Sequence, residues 1–149
     1  MLKKPDIIVA SAVLALIVYT LGLSVLALGQ TSRTVQNTGT VKTVGVGVYW
    51  DSGCTSQVSS INWTVLEPGQ RKNQTVYVKN TSNVPVTLSM ITQNWNPTNA
   101  SSYIACTWDS EGKSLSVNQV TPAVLTLSVN NTIAGITNFS FDIVIIGTG

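Results

Sequence analysis

The chain has 149 residues, of which only 9% are charged, with a net charge of +2 and no histidine. So weak and scattered a positive charge excludes the basic surfaces by which proteins bind nucleic acid. The commonest general base and the commonest metal ligand are also missing, so we predict a protein that is not an enzyme and has no cofactor and no metal site.

Residues 1–29 form an export or anchoring segment. Two lysines precede an uncharged apolar run from Ile7 to Leu28, which as a helix spans about 33 Å and so matches a hydrocarbon core of roughly 30 Å. Positive charge before the run predicts a cytoplasmic N-terminus and export of everything that follows. A small-x-small site ends at Gly29, so both a cleaved signal peptide and a retained transmembrane anchor stay open.

Residues 30–40 are a polar linker, and residues 41–149 are predicted to be one extracellular domain. Apolar and polar residues alternate there in seven or so short runs, separated by turns rich in Gly, Pro, Asn and Asp. This pattern predicts an all-β fold, an antiparallel immunoglobulin-like or jelly-roll β-sandwich preceded by the N-terminal hydrophobic helix. The residues predicted to point inward are Val44, Val46, Val48, Trp50, Ile61, Trp63, Val65, Val76, Val78, Val84, Val86, Leu88, Met90, Leu125, Leu127, Val129, Phe139, Phe141, Ile143 and Ile145.

The last strand carries apolar residues in both phases. Val144 and Ile146 fall on its outward side, although Ile143 and Ile145 already fill the inward side. We therefore expect this strand either to lie in the middle of a sheet or to pack against a neighbouring molecule.

Cys54 and Cys106 are the only cysteines, and both follow the export segment. Two exported cysteines most simply form one disulfide, which we predict here. The alternative, a thiolate metal pair or a nucleophile, lacks the further ligands or the base that it needs.

Six Asn-x-Ser/Thr sequons suggest N-glycosylation, which would supply the solubility that a surface with so few charges lacks. The acceptors are Asn62, Asn73, Asn80, Asn99, Asn130 and Asn138. We place Asn80 and Asn99 in loops and the other four on outward phases of strands, and we expect most of them to be exposed. Accidental sequons in Asn-rich turns are the alternative.

Asp109 and Glu111 are the only close pair of exported carboxylates, and the sequence around them predicts a hairpin turn in preference to a calcium site. Among the four tryptophans, Trp50 and Trp63 fall on inward phases. Trp95, in the polar stretch QNWNPTN, is the best candidate for an exposed aromatic platform.

The stretch LEPGQRKNQTVYVKNTSNVPVTLS resembles a pattern of secreted β-sandwiches: a Pro-Gly turn, an alternating strand that ends in Asn, a short loop, then Asn-x-Pro-Val. With the export segment, the chain over about Val41 to Ile146 is similar to the TasA and camelysin class of biofilm-fibre proteins and to archaeal bundling pilins. The resemblance implies subunits joined when an N-terminal strand of one enters the sheet of the next. The metalloprotease activity described for camelysins is not implied, since HExxH and histidine are missing.

The same idea follows from the residues, because strand addition needs a mobile arm and an alternating strand. QTSRTVQNTG is a plausible arm, and VKTVGVGVYW a plausible donor with Val44, Val46, Val48 and Trp50 on one face. We therefore predict the subunit of a cell-surface filament, a pilus or biofilm fibre, whose partners are copies of itself and which bears N-glycans. The alternatives are a monomeric surface glycoprotein held in the membrane by residues 7–28 and an adhesion or glycan-binding module.

Overall fold

The computed structural model of the chain describes residues 36–149, which form an all-β fold of two sheets. Its elements are β1 (Gln36–Val44), β2 (Val46–Tyr49), β3 (Ser60–Asn62), β4 (Arg71–Asn80), β5 (Val86–Asn96), the 3₁₀-helix η1 (Thr98–Ser102), β6 (Ile104–Trp108), β7 (Ser114–Leu115), β8 (Val120–Val129) and β9 (Asn138–Thr148). Over these residues no helix is long and apolar enough to cross a membrane. The predicted export segment lies outside the described residues.

One sheet has five strands in the order β3-β1-β9-β5-β7, and the other has four in the order β2-β4-β8-β6. Alternation along the long strands β4, β8 and β9 buries one side chain in two, because successive residues of a strand point to opposite faces. The buried side chains of both sheets form one hydrophobic cluster, which includes Trp63, Phe141 and Ile143. The predicted sandwich class is thus confirmed as a two-sheet, all-β fold.

The prediction of a purely antiparallel sandwich is wrong at one pair. β1 and β9 run parallel over nine positions, from Gln36 beside Asn138 to Val44 beside Ile146, whereas every other described pair is antiparallel. Parallel neighbours need a long connection, and here nearly the whole domain separates the two strands. The first described strand therefore lies beside the last one.

The N-terminal boundary of the domain also needs correction. β1 begins at Gln36, so residues 36–40 of the predicted linker belong to the five-stranded sheet. The inward face of this part of β1 consists of Asn37 and Gly39, which are not apolar, and this hid the strand from an analysis of hydrophobic alternation.

Most of the predicted inward residues whose side chains the structure describes are buried, but three are exposed. Trp50, Val65 and Val84 are exposed at 39%, 39% and 45%. Each lies just outside a strand, after β2, after β3 and before β5, where the alternation of a strand no longer fixes the side chain's direction. Met90 is half-buried against the core.

The expectation of a central last strand is confirmed, since β9 has β1 on one side and β5 on the other. Its outward Val144 is buried and Ile146 half-buried, and Val144 is paired with Ile91 of β5. Apolar residues thus lie on the outer face of the five-stranded sheet as well as in the core.

Candidate functional site

β1 occupies an interior position of the five-stranded sheet, with β9 on one side and the three-residue β3 on the other. Its inward side chains, Asn37 and Val41, are buried, and Gly39 lies between them. A Cβ atom on Gly39 would lie 3.3 Å from Trp63 Nε1 and 3.5 Å from Ile143 Cδ1. Glycine fits here because the indole of Trp63 lies against the β1 backbone and leaves little room for a side chain.

β1 fills a groove between β9 and β3, here called its seat. Three polar atoms in this seat are buried without a hydrogen-bond partner among the described residues. They are Nδ2 and Oδ1 of Asn37, which is 3% exposed, and Nε1 of Trp63, which is fully buried. A buried polar group left unpaired costs roughly 1–3 kcal/mol. The side chain of Asn37 therefore adds no hydrogen bond to the attachment of β1, which rests on backbone pairing with β9 and β3 and on the buried Val41.

The chain changes sheets at Gly45, which has φ +71°. A Cβ there would lie 2.8 Å from the carbonyl oxygen of Gly147, and a Cβ on Gly147 would lie 2.7 Å from Val46 Cγ1. The crossing thus needs glycine at Gly45 for its backbone conformation and at Gly147 for the close approach.

This crossing corrects the predicted donor strand. VKTVGVGVYW is not one strand: Val44 ends β1 in the five-stranded sheet, whereas Val46 and Val48 are buried in β2 of the other sheet. Trp50 lies beyond the end of β2 and is exposed. The four residues therefore do not share one strand face, and the first described strand is β1, Gln36–Val44.

The predicted disulfide is also corrected, because Cys54 and Cys106 are free thiols. Cys106 is on β6 and Cys54 follows β2, and these strands are the two edges of the four-stranded sheet. Three strand spacings, about 14 Å, separate the edges, against a Cα separation of at most about 7 Å in a disulfide. Burial raises the pKa of the Cys106 thiol to about 12, so this thiol is uncharged at neutral pH.

Five of the six sequon asparagines are exposed: Asn62, Asn73, Asn99, Asn130 and Asn138. At two of them the side-chain oxygen accepts the backbone N–H two residues on, from Thr64 at Asn62 and from Thr132 at Asn130. That turn leaves the amide nitrogen, the atom that carries a glycan, outside the bond. Glycosylation at these five positions stays a prediction.

Asn80 differs, and its predicted place in an exposed loop is wrong. It is the last residue of β4 and is fully buried. Its Nδ2 donates to the carbonyl oxygens of Val84 (2.7 Å) and Leu115 (3.1 Å), and its Oδ1 accepts from the N–H and hydroxyl of Ser82. A glycan on Nδ2 would replace one of these two donated hydrogen bonds at a fully buried position, so the folded domain excludes one here.

The tryptophans are arranged differently from the sequence prediction. Trp63 is buried as predicted, but Trp50 is the exposed one. Trp95 is half-buried and stacks on Phe141, with ring centroids 4.2 Å apart and 5° between the planes. Trp108 donates its indole N–H to Glu111 Oε2 at 2.7 Å.

The described carboxylates accept structural hydrogen bonds. Glu111 also accepts the N–H of Met90, and Asp109 Oδ1 accepts the N–H of Val124 at 2.9 Å. At Asp51, the backbone N–H groups of Ser56 and then Thr55 hold the pKa of the carboxyl below its usual value. Within residues 36–149 no three His, Cys, Asp or Glu side chains come together in a group that could hold a metal ion.

Comparison with models of known protein families finds none that matches the chain, and no curated protein sequence matches it.

Proposed function

We propose that this protein is an extracellular structural subunit that assembles with copies of itself into a cell-surface filament by exchange of its N-terminal strand. The observation that carries the proposal is the place of β1, between β9 and β3 in the five-stranded sheet. A first strand in an interior position fills a groove that a strand from another copy fills equally well.

Removal of β1 from its groove would be energetically unfavourable. This supports an exchange in which a β1 strand, its own or a neighbour's, always fills the groove. Trp63, Phe141 and Ile143 would become exposed beside the empty position of Gly39. The backbone groups of β9 and β3 that pair with β1 would lose their partners. An apolar groove flanked by unpaired strand edges binds an extended strand by β-augmentation.

The attachment of β1 to the rest of the domain also suits exchange. Gly45 is the only residue between β1 and β2, and short hinges favour the transfer of an element to a neighbouring copy. The unpaired atoms of Asn37 and Trp63 lower the cost of lifting the strand out. Both features, the short hinge and the unpaired atoms, affect the removal of β1 from its own sheet.

Export and N-glycosylation of the subunit are parts of the same proposal. Residues 7–28 carry the chain across or into the membrane, and glycans on exposed sequons make the sparsely charged surface soluble. The resemblance to the TasA and camelysin class and to bundling pilins, and the finer assignment to an immunoglobulin-like or jelly-roll sandwich, are parts of this proposal.

The test compares two aspartates on neighbouring positions of β1 in the full chain. Val41→Asp places a charge in the apolar groove, whereas Thr40→Asp places it on the exposed face of the same strand. We expect polymers of the wild type and of Thr40→Asp that resist dilution, seen by electron microscopy and sedimentation, and none of Val41→Asp. A wild-type protein that stays monomeric at high concentration would refute the proposal.

The second candidate is a monomeric surface glycoprotein anchored by residues 7–28, or an adhesion module. The pairing of β1 within its own sheet favours it, and so does Trp50, whose exposed ring is a possible contact for a glycan. Strict monomers whose membrane segment is uncleaved would support this function, and loss of surface adhesion in Trp50→Ala would assign the contact.

A further inference from the structure

The two ends of the sandwich can be told apart by the strands that begin and finish there. At the end here named the crossover end, β1 passes through Gly45 into β2, β4 leads into β5, and β7 leads into β8. At the opposite end, named the sequon end, β1 and β9 begin side by side, β5 leads through η1 into β6, and β8 leads into β9.

All five exposed sequon asparagines lie at the sequon end. Asn62 is the last residue of β3, Asn73 the third of β4, and Asn138 the first of β9, while Asn99 is in η1 and Asn130 directly follows β8. Register supports the placement, since Asn62 pairs with Thr38 and Asn138 with Gln36, both near the start of β1. Glycans on these residues would surround one end only.

The crossover end has one sequon, at Asn80, and that asparagine is buried and hydrogen-bonded. Its loops do contain exposed asparagines, Asn83 and Asn118, but Asn83 is followed by Val84-Pro85 and Asn118 by Gln119-Val120, so neither forms a sequon. The lack of acceptors at this end is therefore not a lack of asparagine.

Two exposed valines lie on the same loops. Val84, 45% exposed, precedes β5, and Val117, 42% exposed, lies between β7 and β8. Asn80 ties these loops together, because its backbone N–H donates to Gln119 O and its side chain to Val84 O and Leu115 O. The end without glycan acceptors is thus held in shape and presents apolar side chains.

We infer that the crossover end is the surface through which one copy of this chain contacts another. The inference rests on the proposed exchange of β1. Only Gly45 separates β1 from β2, so the Cα atoms of Val44 and Val46 are at most about 7.6 Å apart. A donor whose β1 lies in a neighbour must therefore continue, at Val46, with its own crossover end against that neighbour.

A bulky glycan at the crossover end would occupy this junction, because the register of β1 beside β9 places the donor's Val44 next to Ile146, at the neighbour's crossover end. The segregation of the sequons and the exposed Val84 and Val117 are what such a junction requires. The partner is a second copy, because β1 of this chain is the strand that fits the groove between β9 and β3.

The first test uses charge on the full chain. Val84→Asp with Val117→Asp puts two carboxylates into the proposed contact, and Val65→Asp changes an equally exposed valine at the sequon end. We expect at least a ten-fold weaker self-association of the double variant by sedimentation, and less than a two-fold change in Val65→Asp, with unchanged thermal unfolding in both. Equal association of the wild type and the double variant would overturn the inference.

The second test adds one glycan to each end in a host that N-glycosylates exported proteins. Pro85→Thr turns Asn83 into an acceptor at the crossover end, with Pro85→Ala as its unglycosylated control. Gly135→Asn creates an acceptor at the sequon end, where φ is +73°, a value that asparagine tolerates, and a Cβ meets nothing within 4 Å. Mass spectrometry verifies that each site is occupied.

We expect the glycan of Pro85→Thr to block assembly and that of Gly135→Asn to leave it within two-fold of the wild type. If both glycosylated variants assemble like the wild type, the crossover end is not the contact and the inference is overturned, whereas self-assembly of the chain stands. If the wild type itself never associates, the proposed function fails as well, so the two failures are distinguishable.

Discussion

β1 and β2 are separated by a single residue, yet the domain holds them in different ways. β2 buries Val46 and Val48, pairs with β4, and is covered on its other edge by hydrogen bonds from Val58 N–H to Val48 O and from Trp50 N–H to Ser56 O. Among the described side chains of β1, that of Val41 is buried in the core, and that of Asn37 is buried without a hydrogen-bond partner. This difference supports the proposed exchange, in which β2 stays in its own domain and β1 is the strand that is donated.

The largest expected effect on stability comes from placing one buried charge in β2, compared with one in β1. Val48→Asp buries a carboxylate at a fully buried position, so we expect a loss of at least about 4 kcal/mol and no cooperative unfolding transition in denaturant. Val41→Asp displaces β1 and leaves β2, β4, β8 and β6 in place, so the loss is smaller.

A synthetic peptide of residues 36–44 separates the two variants. Added in excess, it should occupy the groove of Val41→Asp and shift the unfolding midpoint of that variant towards the wild-type value, because the acceptor strands β9 and β3 are intact. It should not restore Val48→Asp. Rescue of both variants, or of neither, would contradict the distinction between the two strands.

A smaller effect is expected at the residue that joins them. In Gly45→Ala the new Cβ meets the Gly147 carbonyl at 2.8 Å in a backbone conformation that disfavours alanine, which we expect to cost about 2–3 kcal/mol. The control is Gly112→Ala, where φ is +72° but a Cβ meets nothing within 4 Å, and about 1 kcal/mol is expected.

Strain at Gly45 has a further consequence for assembly. In an exchanged subunit the hinge at residue 45 is free to extend, which removes the strain. Gly45→Ala should therefore lower the stability of the monomer and raise the assembled fraction at equal concentration. Sedimentation of the two alanine variants measures this. Equal assembled fractions in Gly45→Ala and Gly112→Ala would mean that exchange does not relieve the strain at residue 45.

The sequence predicts the fold where alternation is unbroken and fails where glycine or asparagine lies inward. The sequence predicts β4, β8 and β9 because buried apolar residues recur in each with a period of two: Val76 and Val78, Leu125 and Leu127, and Phe139 and Phe141. The run through Val44, Val46 and Val48 keeps the same period across Gly45, so nothing in it reveals that the chain changes sheets. Two glycines in that run were the available signal for a bend.

The features of the candidate site depend on register and sheet order, which composition does not contain. A disulfide between Cys54 and Cys106 follows from counting cysteines, but β2 and β6 prove to be opposite edges of one sheet. Asn80 is in a sequon and has the polarity of a loop residue, yet four hydrogen bonds of its side chain make it a buried part of the fold. The grouping of the other sequons at one end required the strand pairing.

The smallest expected effect sharpens the contrast within β1 itself. Asn37→Val removes two unpaired buried atoms and supplies a β-branched side chain, so we expect the free energy of unfolding to rise by about 1–2 kcal/mol. Thr38→Val, on the exposed face of the same strand, controls for strand propensity and should change stability by less than about 0.5 kcal/mol.

A donated β1 places Asn37 in the equivalent seat of its neighbour, so the substitution stabilises the closed and the exchanged forms alike and leaves their ratio unchanged. The rate changes instead, because β1 must leave its seat before it can be donated. A gain of 1.4 kcal/mol slows that step about ten-fold, measurable as slower amide hydrogen exchange in β1 and slower mixing of differently labelled subunits. Faster or unchanged mixing in a stabilised Asn37→Val protein would show that departure of β1 does not limit exchange.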